Sequence, residues 1–405
     1  MLNTKHVSTV ILGGSLFLAA SAFAEADAEH IKNLENKIET IESQLSQMAS
    51  GMDHHPGNVT GLPLHGFADV GFASNSDSNL AENPKGFFQG SLSFYLTPSF
   101  GDRVKALIEP NFETTPAGEV AVDLERVQFA YSFSDAATVW GGRIHTPYGY
   151  WNTGFHHGGQ MQTSVLRPRF LDFEDKGGIL PAHLVGLLGT GKVKASAGVI
   201  TYDIYAGNGP KIGDVVASPS SQEGVLNPNA AGDDNHNALL GANVGYEFSG
   251  SMDGLRLAGH GFQGNVKSYD ATPTLVHSTN LIMLGGSAVY LANDWEALGE
   301  YYGFNNTDSG TGSHKSWAAY LQIGKSLNDW TPYMRLERAA LNQQDNYFRS
   351  QLSGQSYARQ SLGLRYNLNQ NAALKLELLN SNFMGEVDRT AVNYRSVFAQ
   401  YAIGF

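Results

Sequence analysis

The sequence predicts an all-β fold: a 16-stranded antiparallel transmembrane β-barrel preceded by a short N-terminal coiled-coil helix. Three observations predict it. Apolar residues recur with a period of two from Leu64 onward, very short turns alternate with longer polar loops, and the last strand alternates up to a terminal Phe405. Composition agrees. Only 16 % of residues are charged, 46 are glycine, 18 tyrosine and 21 phenylalanine, and no long apolar run follows the first two dozen residues. Alternation dilutes apolar residues in a membrane barrel, so it needs no apolar helix to cross.

The N-terminus reads as an export signal over residues 1–24. Lys5 and His6 precede an apolar stretch from Val7 to Ala20, and Ala22-Phe23-Ala24 supplies a small-residue cleavage site. The chain has no cysteine, which suits an oxidising envelope and excludes a disulfide scaffold or thiolate metal site. A net charge of −12 argues against a nucleic-acid partner.

Residues 25–50 form the predicted coil. Ile31, Leu34, Ile38, Ile41, Leu45 and Met48 recur at spacings of three and four, and isoleucine at both kinds of seam position favours trimers over dimers. This gives a periplasmic trimerisation segment over 31–48; a lone amphipathic helix at the barrel mouth is the plainer alternative. Residues 51–63, with Gly51, Pro56 and Gly57, read as a linker.

The barrel occupies 64–405. Short connections fall at Ser99–Asp102, Ser134-Asp135, Thr190-Gly191, Ser249–Gly254, Asn293-Asp294, Asn328-Asp329 and Asn369–Asn371. Longer ones fall at Asn75–Pro84, Thr114–Gly118, Pro147–Ile179, Gly207–Asp234, Lys267–His277, Asn306–Gly312, Leu341–Gly354 and Phe383–Thr390. Seven short turns and eight loops require 16 strands, with both chain ends on the short-turn, periplasmic side. Trp295 and Trp330 begin strands beside turns and Phe133 ends one, as expected of aromatic girdles at the lipid headgroups. In the last strand Val397, Ala399, Tyr401, Ile403 and Phe405 face lipid, while Ser396 and Gln400 face the lumen.

Alternation also sorts the charges. Arg103, Lys105, Arg126, Arg143, Arg256, Arg335, Arg359, Arg365 and Lys375 point inward, with Asp69, Glu109, Glu247, Glu296, Glu300, Glu337 and Glu377. Charge at mid-strand implies a wet or salt-bridged interior, and sixteen strands are too many for side chains alone to fill. The stretch at about 147–179 is the third long loop, and its Tyr148, Tyr150, Trp151, Phe155, Leu166, Phe170 and Phe173 suit packing. Folded inward, it would bring Arg167, Arg169, Asp172, Glu174 and Asp175 to a constriction; paired on the loop surface, they would do nothing. The mixed signs predict weak selectivity with a slight anion lean. His54-His55 and His156-His157 invite a metal, but adjacent imidazoles chelate poorly together and no HExxH pattern occurs, so no metal or cofactor is expected.

These residues carry a resemblance. The signal with its short coil, the strand ERVQFAYSFSD (Glu125–Asp135), the following GGRIHTPYGYWN (Gly141–Asn152) and the Phe-ended strand resemble Gram-negative trimeric outer-membrane porins, broadly the phosphate-selective O/P group. The resemblance implies a homotrimer of barrels, a third loop folded inward, passive diffusion of small hydrophilic solutes, and recognition of Phe405 by the barrel-insertion machinery. Phosphate selectivity is not implied, because Arg167 and Arg169 stand among three acids. An adhesin or partner-binding barrel is the alternative function. A barrel enzyme is a further one, although no Ser-His-Asp set or Gly-x-Ser-x-Gly stands out.

Overall fold

The computed structural model describes residues 64–76, 85–114, 118–155, 159–173, 178–212, 226–227, 236–269, 275–349, 355–385 and 390–405. The signal, coil and linker expectations lie outside these residues, as do Glu174, Asp175 and both histidine pairs.

Sixteen long strands make the wall. The first eight are β1 (Leu64–Asn75), β2 (Gly86–Leu96), β3 (Val104–Thr114), β4 (Val120–Ser134), β5 (Ala137–His145), β6 (His183–Ala195), β7 (Gly198–Gly207) and β8 (Leu239–Phe248). The second eight are β9 (Leu255–Tyr269), β10 (Leu275–Ala292), β11 (Trp295–Asp308), β12 (Gly312–Lys325), β13 (Trp330–Ala340), β14 (Tyr357–Asn369), β15 (Ala372–Phe383) and β16 (Val392–Gly404). Each pairs antiparallel with the next. β16 returns to β1 in continuous register from Phe67↔Gly404 to Asn75↔Ser396. Closure leaves no edge to be satisfied, which is the condition for strands to sit in hydrocarbon.

The wall is inverted relative to a water-soluble sheet. In β15, Leu374, Leu376 and Leu378 are 44–49 % exposed, whereas Lys375 and Glu377 between them are 3 % and 0 % exposed. The pattern repeats on β16, where Val397 and Tyr401 face out and Phe398 and Gln400 face in. An apolar outer row with charge on the inner row suits lipid outside and polar contacts inside.

Turn chemistry explains the sharp connections. Asn293, Asp294 and Asn328 take positive φ, a conformation that short polar side chains tolerate in tight hairpins. Trp295 and Trp330 follow directly and are half exposed at that rim, Trp330 against Tyr366 at 4.4 Å between centroids.

One expected turn moves. β6 runs straight through Thr190-Gly191, and its turn to β7 lies at Ser196-Ala197. The Thr190 hydroxyl donates to Asp203 across the strand pair at 2.8 Å, and Gly191 serves a close approach, since a Cβ there would meet the Ala136 carbonyl. Both residues have mid-strand roles that read as turn signals in sequence. Two loops are also shorter than expected, because β9 and β10 extend to Tyr269 and from Leu275, and β11 extends to Asp308.

Candidate functional site: a loop clamped to the inner wall

Between β5 and β6 the chain enters the barrel. Its root is closed by Thr146 N donating to the Ala182 carbonyl at 2.9 Å, and by Asn152 Nδ2 bridging the Thr146 and Ala182 carbonyls at 3.0 and 3.3 Å. Gly149 then turns the backbone at φ +63°, and a short helix follows over Trp151–Gly154.

Glu300 of β11 receives this turn. Its carboxylate accepts from Tyr150 N at 2.7 Å, Trp151 N at 2.9 Å, Tyr302 Oη at 2.7 Å and Tyr320 Oη at 2.5 Å. The helix amides that lack an internal partner are thereby satisfied in a buried place. Gly149 is obligatory here, because a Cβ would lie 2.0 Å from Glu300 Oε2 and 2.2 Å from Tyr302 Oη. Gly149→Ala is expected to cost about 1–3 kcal/mol in backbone strain alone. It should lower the temperature at which the folded band disappears on a heated SDS gel.

The loop next reaches the short-turn end of the barrel. Gln160 Nε2 donates to the Gln370 carbonyl, in the turn between β14 and β15, at 2.9 Å. Arg365 Nη1 holds the carbonyls of Gln160 and Gln162 at 2.6 and 2.8 Å, and Lys375 Nζ holds those of Gly159 and Ser164. Thr163 donates to Glu296 at 2.7 Å. On the way back, Val165 N and Leu166 N donate to Glu377 Oε2 at 2.8 and 3.1 Å, and Arg169 N to Glu337 at 2.7 Å.

Arg335 is the centre of this clamp. It is fully buried, pairs with Glu337 at 2.8 Å and Glu377 at 3.5 Å, and donates to Ser164 Oγ and the carbonyls of Leu166 and Arg167. Aromatic packing seals the same interface. Phe170 meets Tyr302 and Phe304 at 4.9 and 5.9 Å, Trp151 meets Tyr320 at 5.7 Å, and Phe304 meets Phe348 at 5.0 Å. Tyr347 Oη donates to the Ile179 carbonyl near the loop's exit.

The residues singled out in the sequence therefore separate into groups. Glu300, Arg335 and Arg365 grip the loop. Arg167 and Arg169 are buried in it, with guanidinium carbons 3.6 Å from the Phe173 ring and 4.6 Å from the Phe383 ring. Asp172 lies 3.8 Å from Arg169 Nη1. Arg359 is buried on the wall, donating to Ser381 Oγ and Tyr394 Oη.

A second group lies on the uncovered side. Arg126 pairs with fully buried Glu109 and sits 5.4 Å from the Tyr95 ring; His145 lies 3.7 Å from Glu109. Lys105 shares the inner row with Ala130 and is exposed, and Arg256 lies 5.8 Å from the Tyr150 ring. Two residues are placed differently from the face assignment. Arg103 lies in the turn before β3 and donates to Tyr131 Oη on the outer face. Arg143 sits in register with Val127 and Val185 and donates its Nε to the Glu125 carbonyl. Arg103 falls outside the alternation because its strand begins only at Val104, and the positive φ of Gly142 breaks the alternation just before Arg143.

Sequence reasoning missed the hydroxyls that complete the clamp, those of Tyr302 and Tyr320 on Glu300 and that of Tyr333, which donates to Glu377 Oε2 at 2.8 Å. Their inward parity with Glu300 and Arg335 was the available signal.

A closed 16-stranded antiparallel barrel with a lipophilic outside and a long loop held inside is the fold of the Gram-negative outer-membrane porins. The anion-selective porin from Comamonas acidovorans superimposes with a TM-score of 0.56 at 14 % identity, over 85 % of this chain and 99 % of that one. The outer membrane channel DcaP of Acinetobacter baumannii gives a TM-score of 0.56 at 12 % identity, over 85 % and 97 %. OmpT of Vibrio cholerae, in its in-vitro folded trimer form, gives 0.51 at 13 %, over 85 % and 99 %. No family model matches the sequence, and no curated protein matches it.

Proposed function

We propose that this chain is an outer-membrane porin of a Gram-negative bacterium, passing small hydrophilic solutes passively through a barrel constricted by the third loop. The observation that carries the reading is the clamp. Glu296, Glu300, Arg335, Glu337, Arg365, Lys375 and Glu377 hold the loop along the wall from β11 to β15, which leaves the passage to the remaining inner wall. A loop fixed in this way narrows the lumen without needing to move. Because the clamp's cations are matched by carboxylates and carbonyls, the field left for solutes is mixed, which supports weak selectivity.

The chain acts without enzymatic chemistry and assembles as a homotrimer through the barrel walls and residues 31–48, after export and insertion through Phe405. Exposed Phe72, Phe87 and Phe129 on β1, β2 and β4 give the outer wall an aromatic face suited to lipid or a second barrel. Planar-bilayer recording tests the reading. Purified protein should insert with stepwise conductance in groups of three and a small zero-current potential in a salt gradient. Silence at all voltages would exclude a porin, and a strong cation potential would exclude the selectivity.

A further inference from the structure

We propose that the inner wall of β7–β9 carries a binding site for a neutral polyhydroxylated solute of mono- or disaccharide size, centred on Thr201, Asn243 and Arg256. The inference rests on the porin reading and names the solute class that its uncovered wall would hold.

The wall builds the site by register. Asn243 pairs with Asp203 on one side and His260 on the other, Gly245 pairs with Thr201, and Glu247 pairs with Arg256, so all share one face. Gly245 lets the Arg256 side chain lie flat against the wall: a Cβ there would meet Thr201 Oγ1 at 2.8 Å and Arg256 Nε at 3.2 Å. Asp203 is itself held by Thr190 at 2.8 Å and Asn243 Nδ2 at 3.4 Å. Tyr150, projecting from the clamped loop, supplies an aromatic face beside Arg256.

What remains is unfilled hydrogen-bonding capacity. Thr201, Asn243 and His260 are 8 %, 2 % and 5 % exposed, yet Thr201 Oγ1, Asn243 Oδ1, both His260 nitrogens and Arg256 Nε have no hydrogen-bond partner among the described residues. An unmet buried polar group is costly, so several on one patch of wall mark a place where a polar solute is favoured.

The chemistry selects the class. Arg256 makes no ion pair among the described residues, but Asp203 and Glu247 adjoin it, so an anion drawn to the guanidinium meets two carboxylates. A hydroxyl group both donates and accepts at one oxygen, and so satisfies a mixed set of donors and acceptors without a charge conflict. A row of hydroxyls with an apolar C–H face also suits a tyrosine ring beside it.

The test uses the full-length protein in planar bilayers with sucrose as probe and gluconate as its anionic counterpart. Sucrose should produce saturable, reversible interruptions of the potassium chloride current, beyond the fall caused by an equally viscous polymer too large to enter. Asn243→Ala and Thr201→Val should each raise the half-saturating sucrose concentration roughly three- to tenfold, with unchanged heat-dependent gel migration showing that both fold. Conductance with no saturable sucrose effect, an effect untouched by both variants, or interruption by gluconate instead would overturn the site while leaving the porin reading intact. Absence of any conductance would remove the porin reading and the site with it.

Discussion

Arg335→Ala should free the third loop and destabilise the barrel by about 3–5 kcal/mol, the usual cost of removing one partner from a buried charge network. The size follows from what is left behind. Glu337 and Glu377 remain fully buried without their shared guanidinium, and Ser164 Oγ and the carbonyls of Leu166 and Arg167 lose their donor. Lysine is not a conservative replacement, because a single ammonium cannot span two carboxylates and three loop oxygens with the fork geometry that arginine provides. Two readouts report the same event. The folded form should be lost at lower temperature on a heated SDS gel, and single-channel conductance should rise as the loop leaves the lumen. A variant with wild-type conductance and heat resistance would show that the loop is held elsewhere.

Glu300→Ala should have the next largest effect, with Glu300→Gln between it and the wild type. Alanine leaves the Tyr150 and Trp151 amides and the Tyr302 and Tyr320 hydroxyls without their acceptor in a buried place. Each costs about 1–3 kcal/mol when orphaned, though neighbours in one network do not add simply. Glutamine keeps the shape and one acceptor oxygen, so it retains part of the network. The predicted order of heat resistance is therefore wild type, Glu300→Gln, Glu300→Ala. Equal stability of the two variants would mean that the cavity, and not the hydrogen bonds, sets the cost.

Much of the barrel was legible because a strand buried on one face leaves a period of two in the sequence. β15 shows this plainly: leucines alternate with Lys375 and Glu377, so both the strand and its facing could be read directly. Turns at Asn293-Asp294 and Asn369–Asn371 were legible because asparagine and aspartate tolerate tight hairpin geometry. Thr190-Gly191 misled because glycine has two uses, and here it admits a neighbouring backbone instead of bending its own.

The site was legible only in outline. Parity could place Arg335, Arg365 and Glu300 inside, but not say what they touch. Their partners are backbone groups of a loop more than a hundred residues earlier, such as the Leu166 carbonyl held by Arg335. Backbone groups are identical at every residue, so they leave no mark in a sequence. Of the charges that alternation placed inside, Arg335, Arg365, Lys375, Glu296, Glu300, Glu337 and Glu377 hold the loop, so a count of inward charges is not a count of those a solute would meet.

The reach of the loop from its root beside β5 to the turn at Gln370 also bears on how the protein acquires its structure. The residues that receive its far end, Arg365, Gln370 and Lys375, stand in β14 and β15 or the turn between them, some two hundred positions downstream of Gly159 and Gln160. Contacts so distant along the chain form late, since the intervening segment must be ordered before they pay back the entropy of closing it. Docking of the loop is thus expected only after β14 and β15 are in place, and a chain truncated before β14 would lack the surface on which its middle is meant to settle.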